Sequence, residues 1–548
     1  MNIFEVKKRD GLARVATLSV DGKTCQLPAV METGRLFPGL SDSWMENVPL
    51  GADTAFTARY LPNGNTHPIW VHPAGIPAAA HGTCVMVPCW HTAFANPRKY
   101  VDWLVGLKTA LHPDTAWYAP AAALPSNAAI LCYSGFDIFD FTAVDLRSAQ
   151  GIFCLPEGDF PCDWLKSGAC TCPGCMEDNL KEHNRNALLR EIALVKQYIS
   201  VQRLRDLVES RCRMDAGQVA IMRHLDQHRE FSESVVPIAR QGPLRATTGE
   251  ALHRAEVTRF AERVVQRYRP PIADVVVLLP CSARKPYSSS QSHRKFRQAV
   301  AGRALEIIVT SPLGLVPREL ELVYPAAHYD VPVTGYWDAE EKEFVAATIA
   351  GFLEKHLFRR VIAHLEGGAL AAAGAAAARV GVELEITCKG GPTSHESLTS
   401  LDSALSGEGR VRHDTIRGTG SWQFDLAIDT RKLVVKGRYP EIRALKGKSP
   451  MFSIDEATGL LRPTFEGWTM IPEGYRVTID EFVPTGDVLA PGVVDADPRI
   501  REGDEVMVAG SCAIATGKAA MSAGEMLRSG RGVAVKVRKV KRLAHENI

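Results

Sequence analysis

Val275-Val276-Val277-Leu278-Leu279-Pro280-Cys281-Ser282-Ala283-Arg284-Lys285-Pro286-Tyr287-Ser288-Ser289-Ser290-Gln291-Ser292-His293 is the stretch on which the fold turns. Its first five residues form a short apolar run, rich in β-branched valine, of the kind that fills a buried strand, and the run stops at a proline. Beyond it a thiol, an amine, a phenol, an imidazole and several hydroxyls crowd into one loop. In an open α/β sheet, ligands bind beyond the carboxyl ends of the strands. The loop is therefore the first candidate for chemistry.

Strand patterns at 275–279, 305–309, 361–365 and 382–387 alternate with helical patterns at 295–304, 339–356 and 369–379. That alternation predicts a doubly wound α/β catalytic domain over residues 233–389. Residues 390–420, rich in Gly, Ser and Thr, read as loops. They lead into short strands at 424–428 and 432–436, which predicts a small α+β linking domain over 390–466. Upstream, strand patterns at 84–88 and 128–132 flank a helical pattern at 100–111. Apolar residues then recur at three and four through 186–212, predicting a long amphipathic helix or a helical pair. Residues 1–232 thus read as another parallel α/β domain. From 468 onward short strands surround one helix at 522–527, and residues 467–548 form the last domain.

A chain of 548 residues holds about three or four domains of this kind. Its 64 basic and 62 acidic residues give a net charge of +2, so a polyanionic partner must be met by a local patch. The amino terminus lacks an apolar signal core, and no stretch approaches the roughly 18 uncharged apolar residues of a membrane span. The chain is expected to be cytoplasmic. Thirteen cysteines, three of them in Cys170-x-Cys172-x-x-Cys175, suit metal ligation in a reducing compartment better than a disulfide framework. With His183 they complete a closed tetrahedral set, which predicts a structural zinc.

On residues alone, the loop admits two readings. A polar surface loop with a cysteine at a strand end is the plainer one. The other gives Cys281 a lowered thiol pKa from the positive charge of Arg284, Lys285 and His293, making it a nucleophile. The hydroxyls and basic groups could also cradle a phosphate. The candidate catalytic residues are Cys281, Lys285, Tyr287, Ser290, His293 and Asp330. Ser282, Ser292, His328 and Glu366 are candidate substrate contacts, while Gln298 and Glu306 are unranked alternatives.

Two resemblances sharpen this. The cysteine and histidine cluster, with Gly135-Phe136-Asp137-Ile138-Phe139-Asp140 and Gly151-Ile152-Phe153-Cys154-Leu155-Pro156-Glu157-Gly158 before it, resembles the back half of a tRNA-guanine transglycosylase barrel. Residues 4–30 resemble that family's opening. The resemblance implies a TIM-barrel-like fold, with Asp140 at the position of the nucleophile that attacks the ribose. Only about 140 residues precede Asp140, whereas a complete barrel takes around 200 or more. The family's Asp-Ser-Gly-Gly-Phe-Gln stretch has no counterpart, so the expected domain is a reduced barrel in which base exchange is disfavoured.

The string Pro-Cys-Ser-x-x-Lys-Pro-Tyr-x-x-Ser-x-Ser-His from Pro280 resembles archaeosine synthases, as do residues 310–321 and Tyr324-Pro325-Ala326-Ala327-His328-Tyr329-Asp330. That resemblance spans nearly the whole chain. It implies an enzyme acting on tRNA that carries the nitrile base preQ0 in its D-loop, adding an amine to the nitrile. L-lysine is the implied donor, a radical SAM enzyme the implied partner, and a homodimer the implied assembly. Under this reading Cys281 forms a thioimidate that the amine displaces. Alternatively the amine attacks directly, with Asp330 or His328 as base and Tyr287 or His293 as proton donor. Base exchange through Asp140 and a noncatalytic tRNA-binding subunit are the rival functions.

Residues 491–497, 501–508, 513–519 and 532–537 resemble a PUA domain, a small RNA-binding β-barrel. Seven basic and no acidic residues lie between Arg528 and Leu543. Lys518, Arg531, Lys536 and Arg538 are the expected RNA contacts, placed to meet phosphates rather than to read a base.

Overall fold

The computed structural model describes residues 3–20, 22–32, 69–70, 84–87, 96–331 and 336–543. The chain divides into two compact units. One comprises Met1–Pro237, Val488–Val494 and Met521–Ala534; the other comprises Ile238–Asp487, Asp495–Ala520 and Val535–Ile548.

The first unit begins with an antiparallel meander of Ile3–Asp10, Ala13–Val20 and Lys23–Leu27. A parallel sheet follows in the order Ala29–Val30, Ile138–Phe139, Ala116–Tyr118, Cys84–Met86, Ile69–Trp70. The described residues thus place five parallel strands in the α/β core of this unit. Helix Pro97–Ala110 packs its Tyr100, Val101, Leu104 and Leu107 into that core. The helical pair expected at 186–212 is Leu180–Ser200 and Leu204–Arg211. Asn179 starts the first of these by accepting a hydrogen bond from the Glu182 amide. One expectation fails here: 128–132 lies in helix Ala128–Tyr133, not in a strand. Its residues Ala128 to Cys132 are all buried, and an apolar run buried on every side has no period to separate helix from strand.

The second unit is organised by the predicted sheet. Its order is Gly314–Pro317, Leu305–Thr310, Val275–Pro280, Arg360–Ala363, Leu384–Ile386, all parallel except the first. Val275 to Leu279 are essentially inaccessible, and burial contributes about 1.5–3 kcal/mol for each full-sized aliphatic side chain. The chain leaves Val275–Pro280 for the strand on one side and later crosses to Arg360–Ala363 on the other. The order therefore reverses between those two strands, and Pro280 and Ala363 flank a topological switch point, where ligands bind in such sheets. Helices Gln291–Val300, Ala339–Lys355 and Gly367–Val380 make the crossovers.

Two further expectations are corrected. Residues 390–420 are not mainly loop: Ser394 caps helix His395–Ala404 and Asp414 caps Thr415–Phe424. In the second helix Gly418, Thr419, Gly420 and Ser421 are buried, so residues that resemble loop composition serve instead for close packing. Residues 424–428 form no strand, because Phe424 ends that helix and Asp425 turns left-handed at φ 57°. The small linking sheet is Val434–Lys436, Arg443–Lys446, Ser449–Ile454 and Leu461–Pro463, antiparallel throughout. Beyond it, Arg476–Ile479, Glu505–Ala509, Ala513–Ala519 and Val533–Arg542 pair in that order.

Candidate functional site

Cys281 stands exposed one residue past strand Val275–Pro280. It lines a cleft of about 310 Å³ whose other walls come from residues 246–249, Ala251, Leu252, Ser311, Pro312, Val331, residues 336–338 and Glu341. Lys285, on the same loop, lays its Nζ 3.8 Å from the centre of the Tyr329 ring. Burial pushes the Lys285 pKa below the ordinary lysine value, while the charges of Cys281 and Asp330 oppose that shift. Tyr287 is buried, with its hydroxyl 2.6 Å from that of Tyr329, which lies 2.7 Å from Thr310 Oγ1. Burial, reinforced by Tyr329 and Cys281, raises the Tyr287 phenol well above its usual range. The loop thus joins a thiol, a desolvated amine and a chain of hydroxyls.

Asp330 is exposed on the short strand Tyr329–Asp330, which pairs with Leu244–Arg245. His328, beside it, stacks on Tyr324 at 6.2 Å, and burial lowers its pKa. Ser282 is half-buried and bonds the Arg284 carbonyl at 3.0 Å. Ser290 caps helix Gln291–Val300 by accepting from the His293 amide at 3.2 Å, and its hydroxyl lies 3.1 Å from that of Ser292. Glu366 is exposed at the start of Gly367–Val380, on the far side of the switch point.

His293 differs from expectation. Its Nδ1 accepts from Arg318 at 2.9 Å, and its pKa is pushed down to about 3, first by burial and then by that guanidinium. It is neutral and supplies no positive charge to the thiol. Arg318 itself joins Glu306 at 2.7 Å and Glu321 at 3.0 Å, and Glu321 accepts the Ser288 amide of the loop at 2.8 Å. His413 adds a bond to Glu319 at 2.8 Å, which raises its pKa. Sequence reasoning missed the roles of Tyr329, Arg318, Glu321, Trp337 and Glu341. The one usable signal was Asp338-x-x-Glu341, a capping box that starts helix Ala339–Lys355.

Asp140 is held differently. Its carboxylate accepts the Tyr118 hydroxyl at 2.6 Å and the amides of Ala121 at 3.0 Å and Thr142 at 2.8 Å. It is 4% exposed. In the same unit, the donor atoms of Cys170, Cys172, Cys175 and His183 lie within 4.8 Å of one another, a group that can hold a metal. His183 Nε2 faces the Cys154 carbonyl at 3.1 Å, which leaves Nδ1 to point at the sulfurs. Phe153 stacks on the imidazole at 3.8 Å. Only glycine fits at 174, because a side chain there would come within 2.2 Å of the His183 backbone nitrogen.

In the terminal barrel, Arg538 bonds both oxygens of buried Glu505, and Lys518 pairs with Asp455 at 3.3 Å. Both cations are engaged within the protein. Lys536 is exposed and Arg531 half-buried. A register shift between Thr516 and Gly517 breaks the expected alternation, so Lys539, Lys541 and Arg542 are exposed as well.

Residues 257–405 match the family model described as a domain of unknown function, DUF5591, and residues 476–541 match the PUA domain. Fold and site define a PUA-bearing α/β protein of the tRNA-modifying class. The chain is 40% identical over 487 residues to archaeosine synthase subunit alpha of Methanosarcina acetivorans, covering 82% of this chain and 78% of that one. It is 35% identical to archaeosine synthase of Haloferax volcanii, covering 98% and 99%. A tRNA-guanine(15) transglycosylase of Methanothermobacter thermautotrophicus is 26% identical, covering 85% and 72%. The chain belongs to the archaeosine synthase family.

Two outcomes follow from this geometry. Gly174→Ala displaces the His183 backbone and is expected to weaken metal binding roughly 10–100-fold, read by metal content after dialysis against a graded chelator. Because the folded pKa of His413 is raised, its stabilisation is complete below about pH 6.5 and is lost as pH rises through the folded value. The difference in unfolding free energy between wild type and His413→Gln should therefore shrink with rising pH; a difference that grows would contradict the His413–Glu319 bond.

Proposed function

We propose that this chain modifies tRNA by adding the side-chain amine of L-lysine to the nitrile of preQ0 in the D-loop, giving an amidine. Family membership supports archaeosine biosynthesis; the observation that carries the chemistry is Cys281 at the cleft with a desolvated Lys285 beside it. The Cys281 thiolate attacks the nitrile carbon and the nitrile nitrogen takes a proton, giving a thioimidate. Lysine's neutral amine then attacks that carbon, the C–S bond breaks, and the thiolate leaves. The proton shed by the amine returns to the acid that supplied the first one, so no oxidant or reductant is needed.

Lys285 is the acid in this scheme. Its lowered pKa eases proton release, and its charge stabilises the thiolate. The Tyr287–Tyr329–Thr310 hydroxyls and Asp330 complete the set, while Ser290 and His293 position the loop through the cap and the Arg318 bond. Ser282, Ser292, His328 and Glu366 remain our candidate substrate contacts.

Zinc suits the Cys170, Cys172, Cys175 and His183 cluster. The 3.7 Å between the Cys172 and Cys175 sulfurs is about the edge of a tetrahedron with ~2.3 Å metal–sulfur bonds. With four protein ligands the site is closed, and its role is structural. We assign modules at 1–232, 233–389, 390–466 and 467–548, with RNA contacts at Lys518, Arg531, Lys536 and Arg538 in the last. No described helix is long and apolar enough to cross a membrane. A cytoplasmic homodimer that hands its lysine adduct to a radical SAM enzyme completes the proposal. Base exchange is the lesser reading, because the Asp140 carboxylate already accepts three hydrogen bonds.

The test is incubation with preQ0-containing tRNA and labelled L-lysine. Label should enter the tRNA, and Cys281→Ser should lower incorporation by about 10³-fold or more. Near-normal turnover of that variant would remove the covalent route, and release of free base would favour exchange. Deprotonation of Lys285 should end activity at a pH below the ordinary lysine value of about 10.4. Lys285→Arg should move that alkaline limb upward, whatever its effect on rate.

A further inference from the structure

The cleft beside Cys281 has a lining that amine addition alone does not explain. Asp338 and Glu341 are its charged side chains, Tyr336 and Trp337 give it aromatic walls, and Thr248 and Ser311 add hydroxyls. Among the described residues that line it there is no Lys, Arg or His. A free amino acid calls for a cation opposite its carboxylate. A neutral heteroaromatic base with ring N–H and amino donors calls for the reverse: acceptors at its edge and flat apolar surfaces against its faces.

Glu341 is built to be such an acceptor. One carboxylate oxygen takes the Ser311 hydroxyl at 2.6 Å and the other takes the Asp338 amide at 3.0 Å. A carboxylate offers about four acceptor positions, so one on each oxygen remains, the pair that a bidentate edge needs. Glu341 lies in the first turn of helix Ala339–Lys355, where its side chain completes the capping box with Asp338. Trp337 is braced against Gly368, where an added methyl would come within 3.1 Å of it. The volume of about 310 Å³ is at the lower end of small-ligand pockets, roughly 300–1,000 Å³.

The geometry points to this cleft as the pocket for the modified base, flipped out of the tRNA stack. Glu341 accepts from the ring N–H and exocyclic amino group of the guanine-type edge, Trp337 stacks on the ring, and the nitrile faces Cys281. This inference rests on the reading that the chain acts on a nitrile-bearing deazaguanine. It assigns the cleft to the base and places the amine donor elsewhere.

Calorimetric titration of the full chain with preQ0 free base and with its analogue lacking the exocyclic amino group tests it. Wild type should bind preQ0 at least tenfold more tightly than the analogue. Glu341→Gln should lose about tenfold for preQ0 and little for the analogue, so that discrimination collapses. Glutamine can still serve a capping box, and circular dichroism checks that the variant is folded. Trp337→Phe should retain discrimination, whereas Trp337→Ala should weaken both bases together. Wild type that binds neither base at millimolar concentration, or does not distinguish them, overturns the assignment. So does Glu341→Gln with discrimination intact and a raised KM for labelled lysine, which would make the cleft the amine pocket. These last results leave lysine addition standing; failure of wild type to incorporate lysine sinks the function while the base titration still decides the pocket.

Discussion

One buried cation braces the loop that follows Cys281. The Arg318 guanidinium, 8% exposed, lies between Glu306 on the strand beside Val275–Pro280, Glu321 on its own turn, and His293 on the helix after the loop. Glu321 in turn holds the Ser288 amide. A charge so placed is tolerated only while each partner is present, and removing one partner of such a pair costs about 3–5 kcal/mol. The cation therefore links the strand residue Glu306 to the loop, through Glu321 and the Ser288 amide, and to the helix that follows, through His293. Ser288 and His293, downstream of Cys281, are thus fixed by a residue that does not line the cleft.

The same low-polarity surroundings tune the reactive groups. Lys285 is desolvated over Tyr329 and releases a proton more readily than a lysine in water, whereas Tyr287 is pushed the opposite way. One interior thus separates an amine able to give up its proton from a phenol that keeps it. Under the proposed reaction that separation matters, because amine addition at a nitrile needs a proton delivered to nitrogen while the nucleophile stays unprotonated. His293, buried and neutral, takes no part in the titration and acts through geometry.

The first unit tells a different story from similar residues. Asp140 stands where the transglycosylase resemblance places a nucleophile, yet the Tyr118 hydroxyl and two amides occupy its oxygens. The cysteine and histidine cluster of the same unit has donor geometry suited to a metal. The group able to hold a metal lies in the first unit, and the Cys281 loop lies in the second. A protein can retain a family's fold and give its site a different task.

The amino-acid sequence alone determined the doubly wound unit, the metal group and the Cys281 loop. Each rests on local signals: alternation of strand and helix patterns, the tight Cys170-x-Cys172-x-x-Cys175 spacing, and a strand end crowded with reactive side chains. It also carried the family, because those motifs lie in order along nearly the whole chain. It misread residues 128–132 and 390–420, where short apolar or small-residue runs have no period and burial chooses the helix. Only the tertiary structure decided that His293 is neutral, that Arg318 anchors the loop, and that Trp337 and Glu341 share a cleft with Cys281. Those facts depend on residues brought together from well-separated parts of the chain, and charge and protonation follow from burial and neighbours that no spacing along a chain encodes.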